Sequence, residues 1–343
     1  MKNKSILLSI LIAIISVLIS CEPTPPEKAP EVISEEKETP VVEEEEEEEE
    51  ETEEEETPVI EYLDFPDPNF KHALVNTKCI DVDNDRIGDM DMDSNDDGEI
   101  DKSEAEFIEN LILQFNYWDI KRTVDITGIE NFKDLRSLII TSGESEGFIE
   151  STKTEPISYN LTILTQLEFL RITELGTEFF DSIDLTGLSS LVEADLWGNR
   201  PSFLSDSREW EDPIYFTELK LTGCSSLKQL RIMNSFFIVD FCQVPTLEKL
   251  NMRYLEAGEP EVFDFHCLTR LKWLDISENT IESLILKNTS VLETFEVSYI
   301  GSEADHSNYP FVKYICIDDI PEEYEQITTL IDQNTVVTTD CTF

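Results

Sequence analysis

The sequence predicts an α/β-type repeat solenoid, a horseshoe with short parallel strands on its concave face, a mostly irregular convex side and an N-terminal cap. Three observations predict it. The pattern Leu-x-x-Leu-x-Leu, with Ile, Val, Met or Phe standing in at some positions, recurs over most of the chain. The later copies start at residues 227, 247, 271, 292 and 312, which are 20, 24, 21 and 20 residues apart. The asparagine of the repeat also stands in place after two copies, as Asn199 and Asn279. Fixed self-similarity at this period is the signature of a leucine-rich repeat, in which each unit adds a short strand and stacking buries a continuous core.

The elements follow in order. Residues 1–20 open with Lys2 and Lys4, and an apolar run extends from Ile6 to Ile19. A basic start and a short apolar stretch read as a secretory signal, the other reading being an uncleaved anchor helix; the run is short for a membrane span. Leu18-Ile19-Ser20-Cys21 resembles the lipobox of bacterial lipoproteins. The resemblance implies cleavage before Cys21, lipidation of that residue and contact with the membrane through the lipid only.

Residues 21–61 read as a disordered tether. Between Glu22 and Glu61 lie 20 acidic residues, opposed by Lys28 and Lys37 and interspersed with six prolines. Such a run repels itself and has nothing to bury. The whole chain of 343 residues carries 75 acidic against 25 basic side chains, a formal charge of −50. That balance excludes a nucleic-acid binder working by phosphate neutralisation.

Residues 62–106 form the N-terminal cap, with a helix expected over Asn69–Val75, started by Asp67 and Pro68. Residues 93–104, DSNDDGEIDKSE, match a calcium-binding EF-hand loop. Asp93, Asn95, Asp97 and Glu104 would supply side-chain oxygens, Glu99 its backbone carbonyl and Asp101 a direct or water-mediated contact. Gly98 stands at the sharp turn and Ile100 packs beneath it. Upstream, Asp81, Asp83, Asp85 and Asp89 repeat the carboxylate spacing as a second calcium site, although Arg86 replaces the glycine and Met92 the closing carboxylate. The segment resembles the aspartate ladders of thrombospondin type 3 repeats. Calcium is expected to act structurally, clamping the cap.

Residues 107–317 hold nine copies of the repeat, from Ile108/Leu111/Leu113 to Val312/Ile315/Ile317, and residues 318–343 form a C-terminal cap. Apolar pairs such as Ile183-Asp184-Leu185 and Leu219-Lys220-Leu221 belong to the convex limb. The array, with Phe65–Lys71, Asp125–Ile129 and Tyr314–Asp319, resembles leucine-rich-repeat surface lipoproteins of Bacteroidetes-type bacteria. The resemblance implies an outer-membrane, surface-exposed location and a binding role with no shared ligand. Asp181-Ser182-Ile183 resembles the O-glycosylation site of the same bacteria. Two long excursions, Ser142–Pro156 and Asn199–Tyr215, depart from the pattern.

Of the seven cysteines, Cys316 and Cys341 bracket the last strand and tail and suit a disulfide. Cys224, Cys242 and Cys267 precede successive repeat cores and read as small buried core residues, while Cys79 is free or paired. The three histidines have no zinc spacing and no nucleophile motif beside them, so no enzyme is expected.

On the concave face, Arg231, Lys249 and Arg253 stand between Trp197 and Trp273. In so acidic a chain this basic-aromatic patch is the candidate ligand surface, for a protein or an acidic glycan, on a monomer. Ordinary cross-strand charge pairing with Asp195 or Asp275 is the simpler reading. The functional expectation is a lipid-anchored binding module with structural calcium, the alternative being a calcium-stiffened surface or matrix component.

Overall fold

A computed structural model describes residues 60–116, 120, 123–143, 146–150, 157–175, 180–199, 217–235, 237–255, 262–298, 300 and 312–341. Cys21, the signal and nearly all of the tether lie outside the described residues. So do His306, Trp210 and Tyr215, and most of the two long excursions. No helix among the described residues is long and apolar enough to cross a membrane.

Among the described residues sixteen strands, numbered in chain order, build three parallel sheets. The longest contains β1 (Asn110–Phe115), β2 (Ser137–Ser142), β4 (Phe169–Thr173), β6 (Glu193–Asp195), β8 (Gln229–Arg231), β10 (Lys249–Asn251), β12 (Trp273–Asp275) and β14 (Thr294–Glu296), in that order. On the opposite limb lies a four-stranded sheet of β3 (Ile157–Asn160), β5 (Phe180–Asp184), β7 (Thr217–Lys220) and β9 (Phe237–Val239). A second four-stranded sheet follows, of β11 (Val262–Asp264), β13 (Ser283–Ile285), β15 (Tyr314–Cys316) and β16 (Val336–Thr338). From β2 to β15 the chain alternates between limbs, so it is a leucine-rich-repeat solenoid of the α/β type.

Register explains the leucines. Leu111, Leu138, Leu170, Ala194, Leu230, Leu250, Leu274 and Phe295 are aligned partners along the long sheet. Because strand side chains alternate, this row points inward while its neighbours point out. From Leu111 to Leu274 every member is buried, and each leucine among them contributes about 1.5–3 kcal/mol by leaving water. Tyr159, Ile183, Leu219, Phe263, Leu284 and Ile315 face them from the other limb and join the same core.

Asn199 and Asn279 stitch the turns. The Asn279 amide donates to the carbonyls of Met252 at 2.9 Å and Ile276 at 2.8 Å, and its Oδ1 accepts from Leu255 N–H at 2.8 Å. Asn199 likewise donates to Ile172 and Leu196. Both are buried, so the amide satisfies main-chain groups that the turn would otherwise leave orphaned.

Helix α1 (Pro68–Asn76) starts where the sequence places it, with Asp67 accepting the Asn69 N–H at 2.9 Å and Pro68 in its first turn. Ile112 donates its N–H to Cys79 across the edge of β1, so the N-terminal segment covers an edge that would otherwise template foreign strands. Helix α2 (Lys102–Ala105) follows the acidic loop, and helix α3 (Pro321–Gln326) precedes β16 at the other end.

Two expectations need correction. The convex limb is not mostly irregular; it carries eight of the sixteen strands among the described residues. The copy at Val312/Ile315/Ile317 belongs to that limb, since β15 pairs with β13 and not with β14. Tyr314 therefore lies off the long sheet. Both limbs alternate apolar and polar residues, and both recur once per coil, so the pattern alone does not assign a strand to its side.

Candidate ligand and cation sites

The outward rows of the long sheet change character along its length. Near the N-terminal edge they are apolar, with Ile112, Ile139 and Phe169 forming a small cluster of their own. The Arg86 guanidinium lies 3.9 Å from the centre of the Phe169 ring. The residue that breaks the glycine position of the upstream acidic loop thus lies over the apolar end of the long sheet.

Further along, β4 to β12 enclose a pocket of about 360 Å³ lined by Arg171, Glu193, Asp195, Gln229, Arg231 and Lys249, with Asn251 and Trp273 completing it. Aligned register puts Arg171, Asp195, Arg231 and Asn251 in one row and Glu193, Gln229, Lys249 and Trp273 in the next. Asp195 is the centre. Its side chain is 4 % exposed, and its Oδ2 takes Arg171 Nε at 3.1 Å and an Arg231 terminal nitrogen at 3.5 Å. Its Oδ1 is buried and has no hydrogen-bond partner among the described residues. A buried acceptor left without a donor costs about 1–3 kcal/mol.

The predicted set is only partly gathered there. Arg231, Lys249 and Trp273 line the pocket. Lys249 Nζ lies 4.8 Å from the Trp273 ring centre, and Arg231 is 5.1 Å from that of Trp197. Arg253 is elsewhere, engaged in an ion pair with Glu278 that holds its pKa up. Charge pairing does occur, as the Asp195 contacts show, yet three cations face two carboxylates in the pocket. Arg171 and the partnerless oxygen of Asp195 were outside the predicted set. Alternation marks both side chains as outward, but only register makes them neighbours across strands.

In the loop from Asp93 to Glu104, Asp93 accepts the N–H groups of Asp97 at 3.0 Å and Gly98 at 2.8 Å. Glu104 closes back on the start of the loop, accepting from Ser94 N–H at 2.8 Å and from Asp101 N–H at 3.0 Å. Asp101 caps α2, accepting from Ser103 and Glu104, and the Ser103 hydroxyl lowers its carboxyl pKa. Gly98 has φ +83° with open space around it, the left-handed turn the pattern calls for. The donor chemistry is all oxygen, as calcium requires. However, the carboxylates that converge are in the other loop: Asp81, Asp83 and Asp89 each bring an oxygen within 4.8 Å of the others, and Asp85 stands outside that trio. Asp81 is buried and accepts the N–H groups of Asn84 at 2.7 Å and Arg86 at 2.8 Å.

The cysteines also divide differently from expectation. Cys316 and Cys341 form a disulfide, and so do Cys242 and Cys267. Cys242 is exposed and Cys267 half-buried, so neither is the small core residue the spacing suggested. Cys224 is buried and free, as is Cys79. Burial pushes the Cys79 thiol up to about 12 and the Cys224 thiol to about 11. Ser182 is buried with its hydroxyl donating to Ser158 at 3.0 Å, which leaves the Asp181-Ser182-Ile183 motif without an accessible acceptor.

No family model matches the chain, and no curated protein matches it. Among solved structures, an internalin (InlF) from Listeria monocytogenes aligns with 80% of this chain and 91% of its own at 14% identity, with a TM-score of 0.22. The functional domain of InlJ from Listeria monocytogenes, which includes a cysteine ladder, aligns with 76% of this chain and 67% of its own at 16% identity, with a TM-score of 0.20. The assignment to the leucine-rich-repeat class rests on the strand order and register of this chain itself.

Proposed function

We propose that this protein is a cell-surface binding module whose long sheet takes a protein or acidic glycan ligand in the pocket around Asp195. The carrying observation is the polar pocket itself, with its cationic excess in an acidic chain. Trp273 offers an apolar face beside the polar groups, the mixture typical of an interface anchor. The reading includes a lipid anchor at Cys21, an outer-membrane location and a tether that lifts the repeats off the surface. It also includes structural calcium. Asp81, Asp83 and Asp89 would hold one ion, and Asp93, Asn95, Asp97, Glu104 and the Glu99 carbonyl another. A cation would offset the repulsion among clustered carboxylates and fix the loop that carries Arg86.

Capture from cell-surface protein and polysaccharide extracts tests the pocket, with the protein immobilised in millimolar calcium. The control is Lys249→Glu with Trp273→Ala, which spares the Arg171–Asp195–Arg231 pairing. A partner held by the wild type should be lost by about tenfold or more in the double variant, the scale of two anchor residues. Equal capture by both, or none, would favour the alternative, a calcium-stiffened structural component.

A further inference from the structure

Among the described residues the convex ladder is interrupted between β9 and β11. β9 ends one four-stranded sheet, β11 begins the next, and the two are not paired. The Cys242–Cys267 disulfide crosses this break, from the turn after β9 to the turn after β11. His266 lies beside it with Nε2 3.0 Å from Cys267 Sγ and 3.9 Å from Cys242 Sγ. Its other ring nitrogen, Nδ1, is 2.8 Å from Asp264 Oδ1, and the same oxygen accepts the His266 backbone N–H at 3.0 Å. A carboxylate at Nδ1 requires the proton there, which leaves Nε2 of the neutral ring as a bare acceptor facing the sulfurs. An imidazole held this way by a carboxylate can accept and return a proton beside the sulfur that leaves when the disulfide opens.

We propose that Cys242–Cys267 is a thiol-exchange site, taking small or peptidyl thiols, and not an inert staple. An incoming thiol bonds through its sulfur to Cys242 Sγ, in line with the disulfide and on the side away from Cys267, and its proton passes through water to His266 Nε2. The Cys242–Cys267 bond breaks and its electron pair goes to Cys267 Sγ, left as a thiolate against the imidazolium. The product is a mixed disulfide on Cys242, and no further oxidant or reductant is consumed. Cys242 is the sulfur attacked because it is exposed, and a pocket of about 290 Å³ that it partly lines opens beside it. Cys267 is the leaving group because it is the one against Nε2. Opening meets no resistance from backbone pairing, since the ladder is already broken at that place.

The molecule contains its own control. Cys316 of the other disulfide is fully buried, and β15 and β16, which lead into that pair, are joined by a ladder. The experiment incubates the full chain with reduced glutathione at pH 7, quenches with acid and maps adducts by mass spectrometry. The expected result is glutathione on Cys242, with Cys242–Cys267 opening at least about tenfold faster than Cys316–Cys341. His266→Asn should slow the first exchange by about tenfold or more, within the range general bases provide, and leave the second unchanged. An unchanged Cys316–Cys341 rate also shows that the variant is folded. Equal opening of both disulfides, adducts mainly on Cys267, or a His266→Asn rate equal to wild type would each overturn the proposal.

Discussion

Asp195 and Glu323 are buried carboxylates with different consequences. Asp195 has two guanidinium partners, so its charge is matched even though one oxygen is not. Glu323 accepts the Asp318 N–H at 2.7 Å on one oxygen, while its other oxygen has no partner among the described residues. Burial raises the Glu323 pKa. A raised carboxyl pKa means the folded state holds the proton more tightly than the unfolded chain. This group therefore destabilises the fold as pH rises from the ordinary glutamate range through the raised value. Thermal unfolding of Glu323→Gln against wild type should show a smaller loss of stability over that window, and parallel pH profiles would contradict the assignment. The two free thiols provide a second check at this scale. Cys79 and Cys224, buried and with pKa near 12 and 11, should resist iodoacetamide at pH 8 until the protein is unfolded. Labelling of either in the native state would mean that the core opens there.

A single coil is the unit in which most of the stability resides. Each contributes an inward residue on the long sheet, an inward residue on the opposite limb and the turn between. Leu250 sits mid-array between Leu230 and Leu274 and is fully buried. Leu250→Ala should cost about 3 kcal/mol, the usual range for a core leucine whose cavity cannot collapse, read as a lower urea midpoint. A cost below 1 kcal/mol would mean that neighbouring coils close the gap. The two limbs behave differently as sheets. The long sheet runs through eight strands, whereas the other limb is cut between β9 and β11, where the Cys242–Cys267 bridge stands in place of ladder hydrogen bonds.

For the whole molecule the dominant quantity is charge. Although Glu22–Glu61 holds 20 of the acidic residues behind the chain's −50, the repeats remain strongly acidic and repel themselves, and the acidic loops of the cap concentrate that repulsion beside the first strand. Added EDTA should lower the melting temperature by several degrees, since each kcal/mol of bound-cation stabilisation shifts a chain of this size by about 2–4 °C. Calorimetry with and without millimolar calcium decides it, and identical traces would remove calcium from the structural account. The loops also reach the candidate ligand face, because Arg86 stacks on Phe169 and Arg171 lies 5.4 Å from the same ring.

Features that depend on local pattern are legible along the chain. The solenoid class follows from the leucine period, the start of α1 from Asp67 and Pro68, and the turn stitches from Asn199 and Asn279. The chain's two acidic loops are also visible as spacing. Only the tertiary structure decided which limb a strand joins, since an alternating strand has the same pattern on either side. It put the ninth repeat copy, with Tyr314, on the convex limb and ordered that limb. It set Arg171 and Arg231 on the two sides of Asp195, a contact between residues 24 and 36 positions removed from it in sequence that neighbouring strands alone create. It also paired Cys242 with Cys267 and placed His266 against them. Spacing along a chain reports periodicity, but convergence of side chains depends on register between strands, and register is set by packing across the core.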